Sequence, residues 1–137
     1  MSRSGYTYEI DGWDLIRWRG AVQAAIKGIR GQELLHGLAS ALDMLPTKRL
    51  ISHHLIDEDG QVCALGALGV ACGSVHELRC IDSEDYELVA WFFGVANALV
   101  REIQYVNDER AWGETPEQRW TRMRAWIADQ IIKEAAV

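Results

Sequence analysis

The sequence predicts a mainly α-helical fold: a compact single-domain bundle of about five to six helices with one small β-hairpin and a helix-turn-helix-like corner. Three observations lead to this prediction. Apolar residues recur at three- and four-residue intervals through most of the 137 residues, only two prolines interrupt them, and one Asp-Gly turn lies between short extended segments. Because no linker composition divides the chain, we expect one domain over 1–137, with 1–10 as a flexible N-terminal segment.

The first two predicted helices form the scaffold. The first begins near Asp11 and stops near Gly31, where a left-handed helix end is expected. Its apolar face consists of Leu15, Trp18, Val22, Ala25, Ile26 and Ile29. The same helix carries a strip without bulk at Gly20, Ala24 and Gly28. We expect the second helix, over 32–44 and ended by Pro46, to approach this strip closely.

The predicted hairpin lies between 49 and 62. Apolar residues flank His53 and His54, the run Asp57–Gly60 is a turn signal, and 61–62 is extended again. Two short extended segments around an Asp-Gly turn are the usual pattern of a β-hairpin. We expect it to be the only sheet of the protein.

The segment 63–73 is almost wholly small or apolar. It is too short to cross a bilayer and too free of charge for a surface helix, so it predicts a buried helix that ends at Gly73. Gly66 and Gly69 each cost about 1 kcal/mol in a helix interior, and close packing is the expected reason for them.

Three further helices are predicted in the C-terminal half. Two of them run over about 83–93 and 97–106. The start of the last helix is marked by Thr115 and Gln118, which have capping-box spacing, and by Pro116 in the first turn. Its buried stripe is predicted to be Trp120, Met123, Ile127 and Ile131.

The segment 88–103 has the spacing of a helix-turn-helix unit. The small residue, the turn glycine and the two packing residues are Ala90, Gly94, Val100 and Ile103. As a DNA-binding regulator, the protein would present Asn97 and Arg101 to a duplex. Acidic residues beside both helices would repel the phosphate backbone, so a packed helical corner is favoured and DNA binding is kept as an alternative.

A second alternative is a Cys/His enzyme or a zinc-binding protein. Cys72, His76 and Cys80 lie four residues apart and are ligand types that zinc accepts, although Gly73 is expected to end the helix between them. Cys63 could meet His53 or His54 across the predicted hairpin as a nucleophile and its base. No serine elbow, phosphate loop or zinc-protease motif is present, so a non-enzyme without a cofactor is favoured.

Charge indicates where a partner would bind. The chain carries a formal charge of −6, and residues 61–110 hold eight acidic and three basic side chains. We expect the acidic part of a partner-binding surface to consist of Glu77, Asp82, Glu84, Asp85 and Glu87. Tryptophan and arginine are the residues most enriched at binding hot spots, and the anchors of the same surface are predicted to be Trp112, Arg119, Arg122 and Trp126.

Two features of the composition bear on where the protein acts. No apolar run approaches the about 20 residues of a membrane-spanning helix, so we expect no membrane association. Three cysteines, an odd number, suit a reducing compartment better than a disulfide framework.

Four stretches of the chain resemble small uncharacterised proteins of tailed bacteriophages and prophages. They are 13–22, 63–69, Asn107-Asp108 and 115–126, and the shorter pattern of 63–67 followed by Asn-Asp resembles a wider family of unknown function. The resemblance implies a phage accessory protein in the cytoplasm of a bacterial host. By analogy it implies binding to a host protein or ribonucleoprotein complex, as an anti-defence inhibitor of the anti-CRISPR kind.

Overall fold

A computed structural model describes residues 12–109 and 113–133, and these two ranges contain seven helices. The helices are α1 (Gly12–Lys27), α2 (Ile29–Met44), α3 (Ala64–Ala71), α4 (Val75–Arg79), α5 (Tyr86–Phe93), α6 (Asn97–Asp108) and α7 (Pro116–Gln130). The mainly helical class is therefore confirmed, whereas the N-terminal segment 1–10 lies outside the described residues. None of these helices is both long and apolar enough to cross a bilayer.

The core is built around α2 and α6. Helix α2 contacts α1, α3 and α7, and α6 contacts α1, α3, α5 and α7. Leu35, Leu38 and Leu42 of α2 are fully buried because leucines at three- and four-residue intervals share one helix face. Val100 and Ile103 of α6 are equally buried, so α6 runs through the middle of the bundle.

The joint between α1 and α2 differs from the predicted one. Helix α1 ends at Lys27, and Gly28 precedes α2 with an extended backbone. Gly31 is no helix stop: it is buried in the first turn of α2, where a Cβ would lie 1.8 Å from the carbonyl oxygen of Ala25. The glycine is required there by the close approach of the two helices.

The close approach of α2 predicted at the strip without bulk on α1 is not found. A Cβ on Gly20 would meet nothing within 4 Å among the described residues, and one on Gly28 would meet only the preceding turn. The buried face of α1 is narrower than predicted: Trp18, Val22 and Ile26 are buried, whereas Leu15 is exposed. Ile29, the last residue of the predicted face, is exposed too and belongs to α2.

The predicted hairpin is wrong, because the described residues contain no β-strand. A single antiparallel bridge joins Ile56 to Val62 around the Asp-Gly turn. The Asp57 carboxylate closes that turn by accepting hydrogen bonds from the backbone N–H groups of Asp59 and Gln61. Side chains from α6 and α7, described below, bind the backbone carbonyls of residues 50 and 51, so those groups do not extend the pairing into a strand.

The buried helix after this loop is confirmed as α3. The backbone of Gly73 has φ +76°, which ends the helix in the left-handed conformation that glycine adopts readily. The close packing expected at Gly66 is present, but the neighbour is the backbone of Leu55 in the preceding loop. Gly69 packs against the Leu78 side chain of α4.

The corner between α5 and α6 and the start of α7 are confirmed. Gly94 has φ +69° at the turn, and the three packing residues of the predicted unit are buried. At α7 the Thr115 hydroxyl accepts the Gln118 N–H at 3.1 Å, and the Gln118 side chain accepts the Thr115 N–H at 2.9 Å. These two reciprocal hydrogen bonds form the capping box that the sequence predicts.

Candidate functional site

A polar cluster at the C-terminal end of α6 joins three distant parts of the chain. The Asn107 side chain is fully buried. Its Oδ1 accepts the N–H of Ala64 at 3.2 Å, and its Nδ2 donates to the carbonyl of Ile51 at 2.9 Å and to Asp108 Oδ1 at 2.8 Å. The amide therefore caps α3 and holds the loop at Ile51, which accounts physically for the pairing of the 63–67 and Asn-Asp patterns in the sequence.

The neighbouring carboxylate of Asp108 holds His53. Its Oδ1 accepts the backbone N–H of His53 at 3.1 Å, and its Oδ2 lies 3.5 Å from Nδ1 of the imidazole. The Ser83 hydroxyl donates to the His53 carbonyl at 2.8 Å. These contacts hold His53 at φ +66°, a conformation uncommon for residues other than glycine.

Cys63 is not arranged as a nucleophile. It caps α3, where its Sγ accepts the N–H of Gly66 at 3.4 Å, and complete burial raises the pKa of its thiol to about 12. Because the thiolate is the reactive form, this thiol is unreactive at neutral pH. In the described ranges the Sγ of Cys63 hydrogen-bonds to Gln104 and Gly66 and to neither His53 nor His54, so the Cys/His pair expected across a hairpin does not form.

A cleft of 560 Å³ opens beside His53, between the 53–56 loop and the 78–84 segment. Its apolar lining includes the buried Leu55 and Leu78. Its polar lining includes His53, His54, Arg79, Asp82, Ser83 and Glu84. Because Leu55 and Leu78 are almost fully buried, the accessible surface of this cleft is largely polar.

The metal site proposed from spacing is not formed. Cys72 follows α3 and is exposed, His76 lies on α4, and Cys80 follows α4 and is exposed, so the helix break at Gly73 separates the first from the others. In the parts of the chain that the structure describes, no group of three or more histidine, cysteine or acidic side chains is arranged to hold a metal ion.

The two arginines predicted as partner anchors hydrogen-bond to groups within the protein. Arg119 is 4% exposed, and its guanidinium donates to the carbonyls of Asn107 at 3.0 Å and Leu50 at 3.1 Å. Arg122 binds both oxygens of Glu114, at 2.7 and 2.9 Å, and also donates to the Asn107 carbonyl. Arg119 is therefore removed from the predicted contact surface, whereas Arg122 stays 18% exposed and is held by Glu114.

Of the two predicted tryptophan anchors, the structure describes only Trp126. Trp126 is partly buried and packs against the core, which agrees better with an edge of the core than with a projecting anchor. Trp112 lies outside the described residues. Trp91, which was not selected from the sequence, is 78% exposed on α5. The helical spacing indicates this exposure, because Trp91 lies on the side of the helix opposite the buried Val89 and Ala90.

All five predicted carboxylates are exposed: Glu77, Asp82, Glu84, Asp85 and Glu87. Two of them also shape the chain, since Asp85 caps α5 by accepting the Leu88 N–H at 3.2 Å and Asp82 accepts the Glu84 N–H at 2.9 Å. Glu87 and Leu88 lie four and three residues before Trp91, so all three share a face of α5. We call Glu84, Glu87, Leu88 and Trp91 the α5 surface.

The residues of the DNA-binding alternative are engaged with each other. Arg101 Nε donates to Asn97 Oδ1 at 2.8 Å, and the guanidinium carbon lies 4.5 Å from the ring centre of Tyr86. Helix α6 is packed by four other helices and buries seven of its twelve residues. A recognition helix must enter the major groove, and this helix offers little free surface for doing so.

The fold and these contacts define a small helical domain whose loops are held by a polar cluster at the end of α6. Residues 29–130 match the model of a family described as a family of unknown function, DUF6197, and the chain belongs to that family. The family of unknown function implied by the resemblance is thus confirmed, and the phage origin stays a prediction. No curated protein and no solved structure matches the chain.

Proposed function

We propose that the protein is a non-enzymatic phage accessory protein that binds a host protein or ribonucleoprotein complex through the α5 surface. The observation that carries the proposal is Trp91, which is 78% exposed beside Leu88 and Glu87 on one helix face. Tryptophans are enriched among residues that dominate binding energy, and an exposed one next to another apolar side chain is suited to anchor a partner.

Charge indicates the kind of partner. The segment 77–87 carries five acidic side chains and one arginine, and all five carboxylates are exposed. Such a surface is complementary to a positive groove that normally holds nucleic acid, and complementary charge raises the rate of encounter. An inhibitor of a host defence complex, acting in the cytoplasm of an infected bacterium, agrees with this charge. Direct nucleic-acid binding is disfavoured by the same charge.

Affinity capture from host lysate, with and without nuclease, tests the proposal. Trp91→Ala should weaken capture of the partner at least about tenfold, which corresponds to the 1.4 kcal/mol or more expected of an anchor. Trp13→Ala is the matched control, because Trp13 is a similarly exposed tryptophan (66%) on α1. Equal capture by all three proteins would refute the role of the α5 surface.

Salt dependence separates the remaining alternative. Binding to a basic protein surface should weaken with salt and survive nuclease treatment. A DNA-binding regulator would instead shift duplex DNA at low salt, with a steep salt dependence and a requirement for Arg101. A duplex shift that Arg101→Ala abolishes would favour the helix-turn-helix function over the one proposed.

A further inference from the structure

We propose that an exposed face of α1 binds the α5 surface of a second copy of this chain, with the two helices antiparallel. The face consists of Trp13, Ile16 and Arg17, and we call it the α1 face. The host complex proposed above would compete with the second copy for the α5 surface. The inference goes beyond the proposed function, and it is tested on the purified chain alone.

The α1 face is apolar where a surface helix is usually polar. Trp13 is 66% exposed and Ile16 is 60% exposed. Both lie on the side of α1 away from Val22, the middle of its buried stripe, and charged or polar residues normally occupy that side. An exposed apolar patch with charged residues at its edge is typical of a protein-binding surface.

Helix α1 carries the charge that complements the α5 surface. Its exposed basic residues are Arg17, Arg19 and Lys27, and its one acidic residue is Asp14. The Asp14 carboxylate lies 3.5 Å from the Arg17 guanidinium, but an exposed pair of this kind is weak, so Arg17 is able to bind another carboxylate. The two glutamates of the α5 surface supply such groups, and opposite charges on two faces favour their encounter.

The spacing of the two faces matches when the helices are antiparallel. On the α1 face an isoleucine and an arginine follow the tryptophan by three and four residues. On the α5 surface a leucine and a glutamate precede the tryptophan by the same three and four residues. An antiparallel pair with the tryptophans at one height therefore places Leu88 at the height of Ile16, about 4.5 Å along the axis. Glu87 then lies at the height of Arg17, about 6 Å along.

The two faces that meet belong to different copies. Helices α1 and α5 both pack against α6, and Trp13 and Trp91 are each exposed in the single chain, so neither covers the other. A contact between two unlike faces is heterologous, and it closes into a dimer where two copies pair reciprocally. One pair of short helices is smaller than the about 1,200 Å² that stable interfaces bury, so we expect association only at high protein concentration.

Sedimentation equilibrium of the purified full chain tests the proposal, at low ionic strength and at concentrations up to about 1 mM. We expect the average mass to rise above that of one chain. Trp13→Ala and Trp91→Ala should each weaken self-association at least about tenfold. Met44→Ala is the control, because Met44 is 74% exposed on α2, outside both faces, and this variant should associate like the unaltered protein.

A mixture of the two tryptophan variants distinguishes a heterologous contact from a symmetric one. Trp13→Ala retains the α5 surface and Trp91→Ala retains the α1 face, so the mixture should associate more strongly than either variant alone. A pair of α1 faces would instead persist in Trp91→Ala, and a pair of α5 surfaces would persist in Trp13→Ala. Circular dichroism of each variant verifies that the fold is retained.

Charge reversal tests the alignment of the two helices. Arg17→Glu and Glu87→Arg each place like charges at one height, and we expect each to weaken association at least about threefold. The double variant restores opposite charges and should associate like the unaltered protein. The differences should disappear at 1 M salt, where the Debye length falls to about 3 Å.

Three results would overturn the proposal. They are an average mass that stays at that of one chain up to about 1 mM, full self-association in either tryptophan variant, and a mixture that associates no more than its components. The outcome is separable from that of host binding, because a monomeric chain whose Trp91→Ala variant loses capture from lysate would refute self-association alone. Trp13→Ala should capture the host partner at least as well as the unaltered protein, since its α5 surface is intact.

Discussion

Replacing Gly66 by alanine tests how α3 packs on the preceding loop. A Cβ at this position would lie 1.8 Å from the carbonyl oxygen of Leu55 and 2.8 Å from its carbonyl carbon. Both atoms belong to the backbone, so no side-chain rotation relieves the clash. The loop would have to withdraw from α3, and the hydrogen bond from the Cys63 N–H to the Leu55 carbonyl, 3.3 Å in the native protein, would be lost.

The size of the effect follows from opposing contributions. Alanine is favoured over glycine in a helix interior by about 1 kcal/mol. Overpacking a rigid site costs about 1–3 kcal/mol, and loss of a buried hydrogen bond costs about 1 kcal/mol more, with a larger penalty if the donor stays unpaired. We therefore expect Gly66→Ala to reduce the free energy of unfolding by roughly 2 kcal/mol, because the clash outweighs the helix preference.

Urea unfolding followed by circular dichroism measures this difference, and the chain supplies a matched control. Gly20 lies within α1, and a Cβ there would meet nothing within 4 Å among the described residues. Gly20→Ala should therefore stabilise the protein by about 0.5–1 kcal/mol. If Gly66→Ala were neutral, or stabilising like the control, the close approach of α3 to Leu55 would be refuted.

Three further predictions concern the polar contacts and the thiols. Asn107→Ala should lower the free energy of unfolding by about 2–4 kcal/mol in the same assay, because it leaves the Ala64 N–H and the Ile51 carbonyl buried without their partner. The hydrogen bond from Arg124 lowers the pKa of Asp43 below 3.8, so this pair contributes stability above that pH and loses it as the pH falls through the folded-state pKa. Asp43→Asn should flatten acid unfolding in that range and, since the pair is exposed, cost at most about 1 kcal/mol at pH 7. A thiol reagent should label two cysteines of the native protein quickly and Cys63 only after unfolding, and fast labelling of all three would contradict its burial.

The sequence predicted those parts of the fold that depend on local spacing. The corner at Gly94 and the capping box at Thr115 each require residues only a few positions apart, and both formed as expected. The hairpin failed because its extended appearance did not reveal that Asn107 and Arg119 bind the backbone of residues 50–51. Pairing between a loop and side chains more than fifty residues away leaves no periodic signal.

Arg119 is buried although its charge favours a position at the surface. It lies four and eight residues before Met123 and Ile127, so its spacing places it on the buried stripe of α7. Its charge instead predicts a surface position, because arginine is rarely buried without partners. The backbone carbonyls of Leu50 and Asn107 are those partners, and a carbonyl cannot be distinguished from its neighbours in a sequence.

The adjacent residues Asn107 and Asp108 connect the buried core to the exposed loop at His53. Asn107 is fully buried, and its side-chain amide hydrogen-bonds to both α3 and the Ile51 loop. Asp108 is 23% exposed at its side chain, faces the same loop two residues further on, and fixes the exposed imidazole of His53. Because Asn107 also donates to Asp108, the rigidity of the buried cluster is transmitted to the exposed pair.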